Sequence, residues 1–149
     1  MRAVGLALAA ALLVPATRAA AQTAADSAAI RAAATDYIQG WYDADAPRME
    51  RSLYTGLAKR IVGRDRATRR SVVENLTAAE LVRGAGEQQK AAPDQRRQDI
   101  TILDVFQNMA TVKLVASGWV DYMHLGKIDG QWKIVNVMWD VERPPQRRQ

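Results

Sequence analysis

The clearest run of apolar and polar positions lies near the C-terminus, in residues 119–139, W-V-D-Y-M-H-L-G-K-I-D-G-Q-W-K-I-V-N-V-M-W. Two apolar-rich segments flank Asp129-Gly130. Asp-Gly in that setting predicts a hairpin, because a type I′ turn needs positive φ at both central positions. A two-residue turn sets Ile128 opposite Gln131, Leu125 opposite Ile134, Met123 opposite Asn136 and Asp121 opposite Met138. Strict alternation then places Asp121, Met123, Leu125, Trp132, Ile134, Asn136 and Met138 on one face. Val120, Tyr122, His124, Val135, Val137 and Trp139 occupy the other. Neither face is polar throughout, so the ribbon is expected to be covered on both sides: by helices on one, and by another sheet or a second subunit on the other.

Upstream, Ile30, Ala33, Ala34, Tyr37, Ile38 and Trp41 recur at helical spacing and predict a helix over 26–42, with Asp26 or Ser27 at its cap. Gly40 weakens its last turn, and Asp43-Ala44-Asp45 ends it. Pro47 suits the first turn of a short second helix, capped near Asp45 or Ala46 and burying Met49 and Leu53. Short strands are expected over 58–62 and 68–73, around Gly63-Arg64-Asp65. Thr77-Ala78-Ala79-Glu80 is a capping-box pattern that opens a helix carrying Leu81 and Val82 and stopping at Gly84. Residues 87–98 read as a polar loop. Strands over 98–106 and 109–117 flank Gln107-Asn108, and Ala110, Val112 and Leu114 alternate with Thr111 and Lys113. Gly118 marks a bend. The plan is α+β: helices on the concave side of a curved antiparallel sheet, with room for a pocket between them.

Composition narrows the chemistry. The 149 residues suit one domain. Arg2, the apolar run 6–14 and Ala19-Ala20-Ala21 form a signal-peptide pattern over 1–21. Cleavage near Ala21 is expected to leave a domain over 22–142 and a flexible tail over 143–149, exported to the periplasm or beyond. The apolar run is too short for a stable membrane anchor. There is no cysteine and one histidine, His124, so disulfides, thiol nucleophiles and multi-histidine zinc sites are excluded, and no metal is expected. The formal charge is +5, and cleavage removes Arg2 and Arg18 and no acid, leaving a mild basic excess. Lys59, Arg60, Arg64, Arg66, Arg69 and Arg70 form a basic stretch without interleaved aromatics and broken by Asp65; it reads as a solvated hairpin, not a nucleic-acid surface.

Two groups of residues carry candidate chemistry. Asp121, Tyr122 and His124 are the types a proton-transfer site needs, although alternation puts Asp121 on one face and the other two opposite. Their alternative role is packing, Tyr122 and His124 against Val135, Val137 or a dimer partner. The second group is a small-molecule site: Asp121 and Asn136 as the polar groups among Met123, Trp132, Ile134 and Met138, closed by Tyr37 and Trp41 from the first helix. Flat rings at those two positions suit an apolar or aromatic ligand. A filled core, with Asn136 bonded to backbone, is the alternative.

Several segments together resemble a known group. They are Gly40-Trp41-Tyr42 with Asp45, Leu53 with Leu57-Ala58-Lys59-Arg60, and Leu103-Asp104-Val105 with Asn108 and Ala110. Trp119-Val120-Asp121-Tyr122 with His124-Leu125, and Asp129-Gly130-x-Trp132-Lys133-Ile134-Val135-Asn136 with Trp139, complete the pattern. In these the chain resembles the nuclear transport factor 2-like superfamily, which includes ketosteroid isomerase, scytalone dehydratase and SnoaL-type cyclases, and within it the family labelled "Putative lumazine-binding". The resemblance implies an α+β cone. The superfamily hosts isomerases, dehydratases, cyclases and non-catalytic binding modules, so it leaves the activity open. The expectation is an exported domain that binds a small apolar or aromatic molecule, with no cofactor, paired as a homodimer through the convex sheet face. The rival is a cofactor-free isomerase, dehydratase or cyclase with Asp121 or His124 as base. A third reading is a non-catalytic interaction module whose cone is closed.

Overall fold

A computed structural model describes residues 14–143, with side chains from residue 23. Residues 1–13 and 144–149, which hold most of the expected leader run and most of the expected tail, lie outside the described residues.

The chain runs through helices α1 (Val14–Tyr42) and α2 (Ala46–Ser52), strands β1 (Leu53–Arg64) and β2 (Ser71–Thr77), helix α3 (Ala78–Glu87), a 3₁₀ turn at Pro93–Gln95, and strands β3 (Gln98–Phe106), β4 (Met109–Ala116), β5 (Trp119–Ile128) and β6 (Gln131–Val141). The helices cover the concave face of one curved, unclosed sheet in the order β2-β1-β6-β5-β4-β3. Every pairing is antiparallel except that of β1 with β6. The parallel pair closes the topology: α2 delivers β1 to the free edge of the C-terminal meander, which hairpins alone would leave bare.

The core is where the helical and strand periodicities meet. Ile30, Ala34, Tyr37 and Ile38 of α1 pack with Val112, Leu114, Met123, Leu125, Ile134 and Val137 of the sheet, all buried. Burial of side chains this size stabilises by about 1.5–3 kcal/mol each. α1 starts well before Asp26, so Asp26 is not its cap. Its carboxylate instead accepts from Lys127 Nζ at 2.7 Å and from Trp132 Nε1 at 3.0 Å, tying α1 to the β5–β6 hairpin. α2 is capped by Asp45, whose side chain accepts from the Arg48 amide at 2.9 Å. Leu53 is buried, but as the first residue of β1. α1 and α2 meet at Gly40, where a Cβ would lie 2.7 Å from the Met49 amide nitrogen. The glycine that costs helix propensity is what lets the backbones touch.

The capping box forms at Thr77 and Glu80. α3 passes through Gly84 to Glu87, so Gly84 is no stop. The Asp129-Gly130 turn has φ of 49° and 78°, as a type I′ turn requires. Ile128 pairs with Gln131 and Leu125 with Ile134, as the sequence predicts. Beyond that the register slips: His124 pairs with Asn136, Met123 with Val137 and Asp121 with Trp139. Val135 is the extra residue of a bulge in β6. Trp132 and Ile134 are buried before it, and Val137 after it. The bulge moves Val137 and Trp139 to the helix side and sends Asn136 and Met138 to the outer face, correcting the alternation expected from sequence. The cause is physical. Strict alternation would bury an amide and leave Val137 and Trp139 on the outer face; the slip buries apolar surface instead.

Candidate functional site

A cavity of about 140 Å³ lies between α1, α3 and the helix-facing side of the sheet. Tyr37, Trp41, Trp119 and Trp139 give it rings; Leu76 and Leu81 give it aliphatic surface; Lys59 is its one charged wall. α1 supplies Tyr37 and Trp41 four residues apart, on one stripe. The bulge supplies Trp139, and the bend at Gly118, with φ of 97°, precedes Trp119.

Lys59 is 6% exposed, and the Asp121 residue it meets is fully buried. Lys59 Nζ donates to Asp121 Oδ1 at 2.6 Å and to the Tyr37 hydroxyl oxygen at 2.7 Å. Asp121 Oδ2 accepts from Trp119 Nε1 at 2.9 Å. The ammonium also stands 4.7 Å from the Trp139 ring centroid and 5.4 Å from that of Tyr37, within cation–π range. Burial pulls the Lys59 ammonium below its ordinary value, with Asp121 opposing. Burial, reinforced by the Asp121 carboxylate, pushes the Tyr37 phenol well above its own. The result is a neutral ion pair sunk behind aromatic walls, with its hydroxyl partner kept protonated.

The sequence-predicted ligand residues separate into four groups. Tyr37 and Trp41 line the cavity. Asp121 sits one bond behind the lining, holding Lys59 and Trp119. Met123, Trp132 and Ile134 are packed into the core. Asn136 and Met138 are on the outer face, where Arg60 donates to Asn136 Oδ1 at 2.8 Å and the Asn136 amide nitrogen faces His124 Nδ1 at 3.2 Å. Tyr122 and His124 share that outer face, so they are not brought together with Asp121. A hollow of about 310 Å³ beside His124 is walled by Phe106, Met109, Thr111 and Val135. Among the described residues no cluster of three metal-ligating side chains forms, and no helix is long and apolar enough to cross a membrane.

Lys59, Trp119, Trp139, Leu76 and Leu81 are the site residues that the sequence reading missed. Lys59 was hidden in a basic stretch whose other members are exposed or only partly covered. The signal for Trp139 was legible: Trp132 and Ile134 are even-numbered, Val137 and Trp139 odd-numbered, a break of parity across Val135-Asn136.

Residues 25–140 match the family described as "Putative lumazine-binding". The chain belongs to that family. Among solved structures, this member of the "Putative lumazine-binding" family is similar to an NTF2-like protein with a cystatin-like fold from Novosphingobium aromaticivorans, at 11% identity over 92% of this chain and 95% of that one, with a TM-score of 0.68. It is also similar to an NTF2-like protein of unknown function from Shewanella baltica, at 16% identity over 81% and 97%, with a TM-score of 0.62. A third is the function-unknown Rv3472(D26N) of Mycobacterium tuberculosis, at 17% identity over 90% and 79%, with a TM-score of 0.56. These likenesses show the nuclear transport factor 2-like fold. No curated protein matches the sequence.

Proposed function

We propose that this chain is an exported binding domain that holds a small, largely apolar aromatic molecule in the cavity between α1, α3 and the sheet. The carrying observation is the ring of Tyr37, Trp41, Trp119 and Trp139 around about 140 Å³ of space. Flat rings on several sides favour a flat guest, and few polar groups set its orientation. Binding is favoured over proton transfer because the carboxylate lies behind the cavity wall. Asp121 is fully buried, held by Lys59 and Trp119, and does not line the cavity. A general base must be within hydrogen-bond reach of its substrate. His124, the other candidate base, is on the opposite face of the sheet.

Native mass spectrometry of protein recovered from the periplasmic or culture fraction tests the reading. The expected result is a chain starting near Gln22 that carries a small molecule released on denaturation. Leu81→Trp, which fills the cavity, should abolish the added mass. A wild-type chain that carries nothing and gives no indole-resonance shift with indane, a small aromatic hydrocarbon, would overturn the binding reading. Proton exchange of a ketone substrate, lost in Asp121→Asn, would replace it with the enzymatic one.

The outer face favours a homodimer. Phe106, Met109, Tyr122 and Met138 all lie there with 43–59% of their surface exposed. An apolar sheet face of this kind is stabilised by a partner, and a second copy brings the same face.

A further inference from the structure

The cavity uses Lys59 and leaves the rest of the basic stretch unexplained. Beyond Arg60, which pairs with Met138, β1 leaves β6 and pairs only with β2, as far as Arg64 opposite Ser71. Residues 61–74 thus form a two-stranded arm past the shared sheet. A ribbon of two strands has little to hold it, yet the tip of this one is built. Asp65 accepts from the Thr68 amide at 2.6 Å and from the Thr68 hydroxyl at 2.7 Å. The Asp65 amide donates to the Arg70 carbonyl and the Arg69 amide to the Asp65 carbonyl, both at 3.0 Å.

The arm holds the chain's surplus charge. With Arg2 and Arg18 of the expected leader set aside, the 21 basic side chains become 19 against 16 acidic ones, an excess of three. Arg60, Arg64, Arg66, Arg69 and Arg70, less Asp65 and Glu74, give the same excess of three within residues 60–75. The remainder of the chain is therefore balanced. Arginines elsewhere are tied down: Arg48, Arg51, Arg96 and Arg97 each form an ion pair with a carboxylate. Arg64, Arg66, Arg69 and Arg70 are exposed, and among the described residues none pairs with their side chains. Apolar surface lies among these cations. Val62 pairs with Val73 on the outer face, between Arg60 opposite Asn75 and Arg64 opposite Ser71, and the two valines are 49% and 64% exposed. Glu74 lies opposite Ile61, on the other face.

We propose that this arm docks reversibly on the surface of an anionic lipid bilayer, with its arginines on the lipid phosphates and Val62 and Val73 at the boundary with the acyl chains. A guanidinium forks onto phosphate oxygens, and a bilayer presents those oxygens in a plane. Valines set between cations suit that interface, where apolar side chains leave water while the charges stay among the headgroups. A single-stranded nucleic acid would find no aromatic ring on the arm to stack its bases. The proposal is independent of what the cavity holds.

Co-sedimentation of the full chain with vesicles tests it. Phosphatidylcholine vesicles with about one quarter phosphatidylglycerol should bind the chain about tenfold tighter than phosphatidylcholine alone, and the preference should shrink as salt rises. Each arginine at the surface is worth about fivefold, so Arg66→Gln with Arg70→Gln should weaken binding about twenty-five-fold. Because those side chains have no partner in the chain, the thermal midpoint should not move. Val62→Thr with Val73→Thr keeps the branched shapes, removes apolar surface, and should weaken binding about threefold to tenfold. All variants share one N-terminus, so any contribution from residues 1–21 cancels. Equal binding to the two kinds of vesicle, or arginine variants that bind as wild type does, would overturn the proposal. Oligothymidylate or polyglutamate bound as tightly as the vesicles would also overturn it, by making the arm a surface for soluble polyanions. A changed sedimentation coefficient of the arm variants without vesicles would assign the arm to a contact between copies, and the lipid proposal would fall.

Discussion

Lys59 and Asp121 bring opposite charges into a wall of rings, and neither is tolerable there alone. Lys59 Nζ and Asp121 Oδ1 are 2.6 Å apart, with the lysine side chain 7% exposed and the aspartate fully buried. Desolvation of such a pair consumes most of its Coulomb attraction, so the pair contributes little net stability, while loss of one member is costly. Asp121→Ala should therefore destabilise the fold by about 3–5 kcal/mol in urea unfolding. Adding Lys59→Met and placing Leu at 121 should recover at least half of that loss, because the orphaned charge is then gone. Recovery of nothing would show that the pair itself, and not the avoidance of a lone charge, holds the wall. At this scale the sequence was least legible. Asp121 was recognisable as a carboxylate among apolar residues, but its partner lies on β1, sixty-two positions away along the chain, in a stretch that looks solvated. Local pattern carries no record of which of six basic side chains turns inward.

At the scale of elements, α1 and α2 are held by a charge clamp. Arg48 Nε and Arg51 Nε reach the two oxygens of Asp36 at 2.9 and 2.8 Å. Arg48 also contacts Asp43 and Gln39. Arg51 first, then Arg48, holds the Asp36 carboxyl below its ordinary value of 3.8. The folded state thus binds fewer protons than the unfolded one, and the clamp's contribution is complete above about pH 3.8 and lost as pH falls through the lower folded value. Comparison of wild type with Asp36→Asn by urea unfolding should give a gap that is constant from pH 7 to pH 5 and shrinks as pH falls below 3.8. A gap that does not shrink at all below that pH would mean that the clamp is not electrostatic. Elements were more legible than residues. Asp129-Gly130, Thr77 with Glu80, and Asp45 before Pro47 each act within four residues of themselves, and the structure shows each at its expected place. Two features were missed: the bulge at Val135, whose one local trace is the break of parity, and the continuation of α3 through Gly84, which packs toward the Trp41 ring at ordinary contact distance.

For the whole molecule, one side of the sheet is spent on the helices and the other is open. Val137 and Leu125 face the core, while Tyr122 pairs with Met138 on the outside, flanked by Lys113, whose ammonium stands 5.7 Å from the Tyr122 ring centroid. Sedimentation velocity across a hundredfold concentration range should show a reversible dimer. Tyr122→Arg with Met138→Glu should give monomers whose thermal unfolding at low concentration matches that of wild type. Monomers at every wild-type concentration would remove the dimer. The architecture itself was readable from sequence because helical spacing in the first third gives way to strand alternation in the last, and because the superfamily's hairpin residues are present.

The bulge at Val135 also sets how β6 tolerates a change of length. Deletion of Val135 would join Ile134 to Asn136 in a regular ladder, with Asn136 and Met138 still outside and Val137 and Trp139 still inside. The spare residue is thus dispensable for the facing of the inner rings, and its removal should straighten the strand while sparing the surface the helices cover.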